Sequence, residues 1–321
     1  MKRASLPAMM LAAWLILWPG AAAVRADVAT DGTVGRAGAV SLRGPDYDIR
    51  SEFGSQSGGN LFHSFSRFSI EAGESAVFSG PYSVENILAR VTGGGVSGID
   101  GLLRSTIPGA NLFLLNPAGI LFGPDASLDV GGAFHASTAD YLRMGETERW
   151  TVPAAAGGGL SSAPPSAFGF LDGSVSPITV DGSSLTSLGE TLSLVGGDLK
   201  VANGAQITLD GGRFDMAAVA SPGEVAPGPA GLDLSSFDAL ADIDITGSDA
   251  GGPSGISVSG GSLFIRGGRF VVENSEILAT APVSVAETAG SVVDIQADSV
   301  ALGPGTLDRK STRLNSSHVS Q

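Results

Sequence analysis

Apolar residues recur along this chain in short runs rather than in long stripes. Asn111–Leu115 (NLFLL), Ile120–Phe122 (ILF), Ser127–Val130 (SLDV), Thr191–Val195 (TLSLV), Gln206–Leu209 (QITL), Ile256–Val258 (ISV) and Val292–Ile295 (VVDI) are rich in Val, Ile, Leu and Phe. Gly, Asn, Asp and Pro separate them, which is the signature of short strands joined by turns. Spans with a 3.6-residue period and capping residues are nearly absent. Ser83–Arg90 is the one stretch expected to form a helical turn, and the Thr92-Gly93-Gly94-Gly95 that follows reads as a loop. The fold class expected from pattern alone is all-β.

Internal similarity narrows this further. LSLVGGDLKV (Leu192–Val201) resembles ISVSGGSLFI (Ile256–Ile265), and GGRFDMAAV (Gly211–Val219) resembles GGRFVVENS (Gly267–Ser275). Strand–turn–strand units with glycine at the corners suit a β-solenoid, whose coils cannot bury their inward residues singly and so share one stacked core. A β-sandwich is the alternative, but the strands are short for it and the glycine corners frequent. Two Pro-, Gly- and Ala-rich stretches, Val152–Pro165 and Ser221–Gly231, read as loops or linkers. The second is the better boundary, dividing residues 27–220 from further coils over 232–307.

Composition fits an exported β protein. The chain has 47 Gly, 17 Pro, no Cys and 43% hydrophobic residues, but only 16% charged. That is too apolar for a disordered chain and too poor in charge for a typical helical enzyme. Lys2 and Arg3, the apolar run Ala8 to Trp18 and the small residues Ala21-Ala22-Ala23 make residues 1–26 a signal peptide, cleaved after Ala23 or Ala26. The apolar run is about half of what a bilayer crossing needs. At the other end, the tail 308–321 reads RKSTRLNSSHVSQ from Arg309, basic and without alternation, which resembles translated vector sequence; the gene is read as truncated, with a native basic tail as the alternative. Setting aside the three cations of each terminal segment takes the formal charge from −14 to −20, with Lys200 as the only remaining lysine. Such a chain repels nucleic acid and anionic lipid. Without cysteine, its stability rests on burial and strand ladders.

The most informative block is Asn111–Ala136, NLFLLNPAGILFGPDASLDVGGAFHA. Within it Asn116-Pro117-Ala118-Gly119 fits a β-turn: Asn can accept from the turn backbone, Pro presets φ near −65°, and Ala at the third position favours type I over type II. With apolar strands on both sides, the block resembles the haemagglutination-activity or two-partner-secretion domain of filamentous haemagglutinin-like exoproteins, in which an N-P-N-G-type turn has this setting. Asn60–Phe65 (NLFHSF) with the following SRFSI, NILARVTGGG from Asn86, IDGLLRSTIPGA from Ile99, SAFGF from Ser166 and LSLVGG from Leu192 add to the resemblance, which covers roughly residues 30–300. Ala118 departs from the Asn that many members carry.

The resemblance implies a right-handed parallel β-helix with an N-terminal cap and extra-helical antiparallel hairpins. It implies Sec export to the periplasm and recognition by the POTRA domains of an outer-membrane transporter. Secretion to the cell surface of a Gram-negative-type bacterium and an adhesive task toward a host-cell, surface or glycan ligand follow. The residues it marks for transporter recognition are Asn60, Leu61, Phe62, His63, Ser64, Phe65, Asn116, Pro117 and Gly119.

The remaining chemistry is sparse. His63 and His135 lack Cys or a carboxylate cluster and are expected to be structural rather than metal ligands. Asp242 and Asp244 share a strand face, and paired carboxylates can serve a glycan-cleaving β-helix enzyme; on so acidic a chain an outward Asp row is the simpler reading. The glycines of VTGGGVSG lack the Lys-Ser/Thr of a phosphate cradle. No cofactor, metal or catalytic residue is expected. A polysaccharide-active enzyme is the alternative function. A self-transporting passenger would need long C-terminal barrel strands, which this sequence lacks.

Overall fold

The computed structural model describes residues 27–152, 159–188, 190–228, 231–280 and 292–304. The signal peptide expected over 1–26, its cleavage point and the tail 308–321 lie outside them. Among the described residues the helical content is one 3-10 turn, Ser51–Phe53.

Parallel pairing repeats in a three-strand cycle that winds the chain into a β-helix. On the first face Asn60–Ser69, Asn86–Val91, Asn111–Leu115, Phe134–Ser137, Thr191–Gly196, Arg213–Ala218 and the first half of Ser262–Glu273 stack in that order. On the second face Ser97–Ile99, Ile120–Phe122, Ile178–Asp181, Leu199–Ala202, Ile243–Thr246 and the second half of Ser262–Glu273 do the same. The third face consists of two sheets. Asp46–Arg50, Ser75–Ser79, Leu102–Ser105 and Ser127–Asp129 form one; Ser184–Leu188, Gln206–Asp210, Ser254–Ser259 and Ser275–Thr280 form the other. Alternate residues point inward, so each column holds one apolar position per coil. Leu61, Ile87, Leu112, Phe134, Leu192 and Phe214 form one such column, part of a core that runs unbroken from Val28 to Val272.

The open edge of the first coil is covered. Asp27–Thr30 and Ser55–Ser57 both pair antiparallel with Asn60–Ser69, capping a strand that would otherwise template association. The chain also leaves the coil twice, each time at the corner between the first and second faces, after Ser137 and after Ala218. The two excursions join in one antiparallel sheet, ordered Glu148–Thr151, Tyr141–Met144, Pro165–Phe170, Gly223–Gly228 and Gly231–Asp233. This sheet lies on the outer side of the first face. There Phe62, Leu88, Phe113 and Val195 meet Leu142, Trp150, Phe168 and Val225 in a second buried cluster. The first-face strands are therefore apolar on both sides, which explains runs such as NLFLL that do not alternate.

Four sequence expectations change. Ser83–Arg90 is not helical: Asn86–Val91 is a fully buried strand paired on both edges. Its Leu, Ala and Arg favour helix locally, and burial between two rungs overrides that preference. Ser221–Gly231 is not a linker. Gly223–Gly228 pairs with Pro165–Phe170 and Gly231–Asp233 with Gly223–Gly228, driven by burial of Val225 and Leu232, so no boundary interrupts the core there. Of Val152–Pro165, residues 153–158 lie outside the described residues, while Pro165 opens a strand. The internal similarity is real but displaced by one face. Leu192–Val201 spans first and second faces, whereas Ile256–Ile265 spans third and first. Gly211-Gly212 precedes a first-face strand and Gly267-Gly268 a second-face one. What repeats is the chemistry of a corner, not the coil.

Candidate functional site

The Asn116–Gly119 turn sits at the corner between the first and second faces. Its closing bond runs from the Gly119 N–H to the Asn116 carbonyl at 3.0 Å. Asn116 is wholly buried and satisfied on every side. Its Oδ1 accepts from the Ala118 N–H at 3.0 Å, and its Nδ2 donates to the Gly95 carbonyl and to Ser97 Oγ, each at 2.9 Å. Its backbone N–H donates to the Ser137 carbonyl. One residue, through its side chain and its backbone, thus ties three successive coils. Gly119 has φ +113°, a conformation that favours glycine, while Ala118 keeps a negative φ, which excludes a type II turn. Pro117 and Ala118 remain half-exposed at the tip, and Val96, largely exposed, lies beside Gly119.

Asn60–Phe65 is different: all six residues are buried. Leu61, His63 and Phe65 point into the coil, whereas Phe62 packs edge-on against Trp150 with ring centroids 5.2 Å apart. Ser64 donates to Asp31 Oδ2 at 2.6 Å. Asn60 begins an amide ladder, a role its sequence setting allowed, whose further members Asn86 and Asn111 sequence reasoning missed. Asn86 Nδ2 donates to Asn60 Oδ1, and Asn111 Nδ2 to Asn86 Oδ1, both at 2.9 Å; Asn60 Nδ2 caps the row on the carbonyls of Ser161 and Ala163. The available signal was an Asn opening three successive apolar runs at spacings of 26 and 25 residues.

A second missed cluster joins the cap to the excursion. Arg90, buried beside Trp150 at 4.9 Å, donates to Ser64 Oγ, the Thr151 carbonyl and Thr33 Oγ1. Asp31 completes it. Burial pushes its carboxyl up, but hydrogen bonds from Ser64, Thr33 and Thr92 outweigh that and hold it below the usual value. These contacts come from residues far apart in sequence, and nothing in the local pattern announces them.

Among the described residues the titratable groups sit in separate contacts along the coil. His135 Nδ1 lies 2.9 Å from Ser193 Oγ, but the histidine is half-buried, with its ring stacked on Phe113 at 4.3 Å and beside Phe168. Burial, with the charge of Arg213, lowers the His135 pKa to about 4. Asp215, also buried, is held by both oxygens on Arg213 Nε. Asp242 and Asp244 face outward and share Arg269, at 3.0 and 3.6 Å. Among the described residues no group of three or more His, Cys, Asp or Glu converges to hold a metal.

A stacked coil with a capped N-terminal edge, a side-packed antiparallel sheet and a buried-Asn corner turn defines a β-helical domain. The chain belongs to the TPS secretion domain family, whose model matches residues 26–267, continuing through 221–231. It is thus the N-terminal secretion domain of a two-partner secretion exoprotein, a class whose members leave Gram-negative bacteria through an outer-membrane transporter. Among solved structures it is similar to the crystal structure of the HMW1 secretion domain from Haemophilus influenzae, at 16% identity and a TM-score of 0.45. That alignment covers 83% of this chain and 79% of the other. No match was found among curated proteins.

Proposed function

We propose that this chain directs export of an adhesin-type, haemagglutinin-like passenger by a type V route. The signal peptide delivers it through Sec to the periplasm, and POTRA domains of its transporter recognise the secretion domain, which runs on through 221–231. Its stacked coils template a longer β-helix that folds at the cell surface. The observation that carries this reading is the division of labour in the corner turn. Asn116 and Gly119 fix its shape from within, while Pro117 and Ala118 offer a rigid tip that a partner can touch. Asn60–Phe65, being buried, serves the secretion motif by building the coil that supports this surface. The eventual partner beyond the transporter is a host-cell, surface or glycan ligand. Asp242 and Asp244 share Arg269 at the surface, which supports an outward acidic row over the acid–base pair of the polysaccharide-active alternative, and we expect no catalysis.

Co-expression with the cognate transporter tests this. Ala118→Asp should lower extracellular yield several-fold while leaving the urea midpoint of the purified protein unchanged. Asn116→Ala should lower both, because it leaves buried partners unpaired. Wild-type yield from Ala118→Asp would remove the recognition role of the tip.

A further inference from the structure

His63 stands out within its own column. In the same inward position the next coils place Ala89, Leu114, Ala136, Leu194, Met216 and Ile265, all apolar. His63 is 0% exposed, and neither ring nitrogen has a hydrogen-bond partner. It is clasped between the cap and the first coil. A Cβ on Gly54 would stand 2.9 Å from its Cε1 and Nδ1, and the Phe65 and Phe78 rings lie 6.0 and 5.5 Å away. A buried donor and acceptor left unpaired weaken a fold where any aliphatic side chain would strengthen it.

We propose that His63 is a built-in weakness that makes the cap and the strand Asn60–Ser69 open before the rest of the coil, and more readily in acid. Opening lets water reach a ring that the closed state strips bare. Only the open form accepts a proton easily, so acid draws the equilibrium toward it. No charge on a neighbouring element offsets this. On its own strand Arg67 pairs outward with Asp27, and on the cap Arg50 pairs with Glu52 at the surface. The strand Ser75–Ser79 carries no titratable side chain, and Arg90 on the adjacent rung lies on the outer side against Trp150. Consistent with this, burial alone lowers the ring pKa to about 3. The inference concerns the chain itself and holds with or without a transporter.

Hydrogen exchange of the full chain tests it, comparing wild type with His63→Leu at pH 8 and pH 5 so that intrinsic exchange rates cancel. At pH 8 the substitution should slow exchange in peptides from Ser51 to Ser69 and leave Thr191–Ala218 unchanged. At pH 5 its advantage should grow by roughly 30-fold, the protonation factor of an unperturbed imidazole in the open state. Equal exchange in both proteins, or an advantage of the same size at both pH values, overturns the proposal. If His63→Leu fails to fold, His63→Phe replaces it. Titration of the wild-type imidazole by NMR gives an independent reading: a ring that protonates near pH 6.5 without loss of the native spectrum also overturns it.

Discussion

The first and third faces of this coil are built from the same backbone ladder but obey different sequence rules. Asn86–Val91 on the first face is buried at all six positions, whereas Gln206–Asp210 on the third alternates between core and solvent. The difference lies outside the coil. The first face carries the antiparallel sheet of the two excursions, and the outer side of the third is open to solvent. An identical strand geometry is thus read by sequence as a continuous apolar run in one place and as alternation in the other.

The comparison can be broken or sharpened by substitution. Adjacent first-face residues on opposite sides should matter about equally: Leu61→Ala and Phe62→Ala are each expected to cost about 3–5 kcal/mol in urea unfolding, since both leave cavities. On the third face only the inward neighbour should behave so. Ile207→Ala should fall near the lower part of that range, and Thr208→Ala within about 0.5 kcal/mol. A large loss at Thr208 would mean that the third face is covered as well.

Ion pairs should divide in the same way. Asp215, 1% exposed beneath the excursion sheet, holds Arg213 at 2.7 Å. Asp215→Asn should destabilise by about 3 kcal/mol, because it strands a partly buried guanidinium. Arg269→Ala, on the open second face with Asp242 and Asp244, should leave the unfolding midpoint where it is.

Acid supplies the smallest of the sizeable effects. With its folded pKa lowered to about 4, His135 is harder to protonate when folded than when unfolded. It therefore withdraws stability as pH falls below about 6.5, at about 1.4 kcal/mol per unit, or about 2 kcal/mol by pH 5. His135→Phe should flatten that part of the stability–pH profile; an unchanged slope would mean that the ring is hydrated. The third face has no histidine to contribute.

What the sequence revealed follows this division only in part, since the first-face runs Asn111–Leu115 and Thr191–Val195 were legible too. Third- and second-face strands such as Gln206–Leu209 and Ile120–Phe122 were legible because alternation and flanking turns are local properties. The Asn116 turn was legible because each of its four positions has its own backbone requirement. Ser83–Arg90 misled, since two-sided burial erases the period that separates strand from helix. Ser221–Gly231 misled, since its Pro and Gly residues hid Val225 and Leu232, whose partners lie in the other excursion. The burial of Asn60–Phe65, the Asn ladder and the Asp31–Arg90–Trp150 cluster depend on which coils become neighbours. A run of residues does not encode that by itself.

The shared exit corner of the two excursions separates the length of the gene from the length of the rod. From Asn111 to the coil above it the chain advances 22 residues, and from His135 to Ser193 it advances 58, yet each step is one strand spacing along the axis. Insertions at that corner add girth on one side and no height. Evolution can therefore lengthen, trim or exchange these side structures as an ornament on a shaft, leaving the pitch of every later turn unaltered.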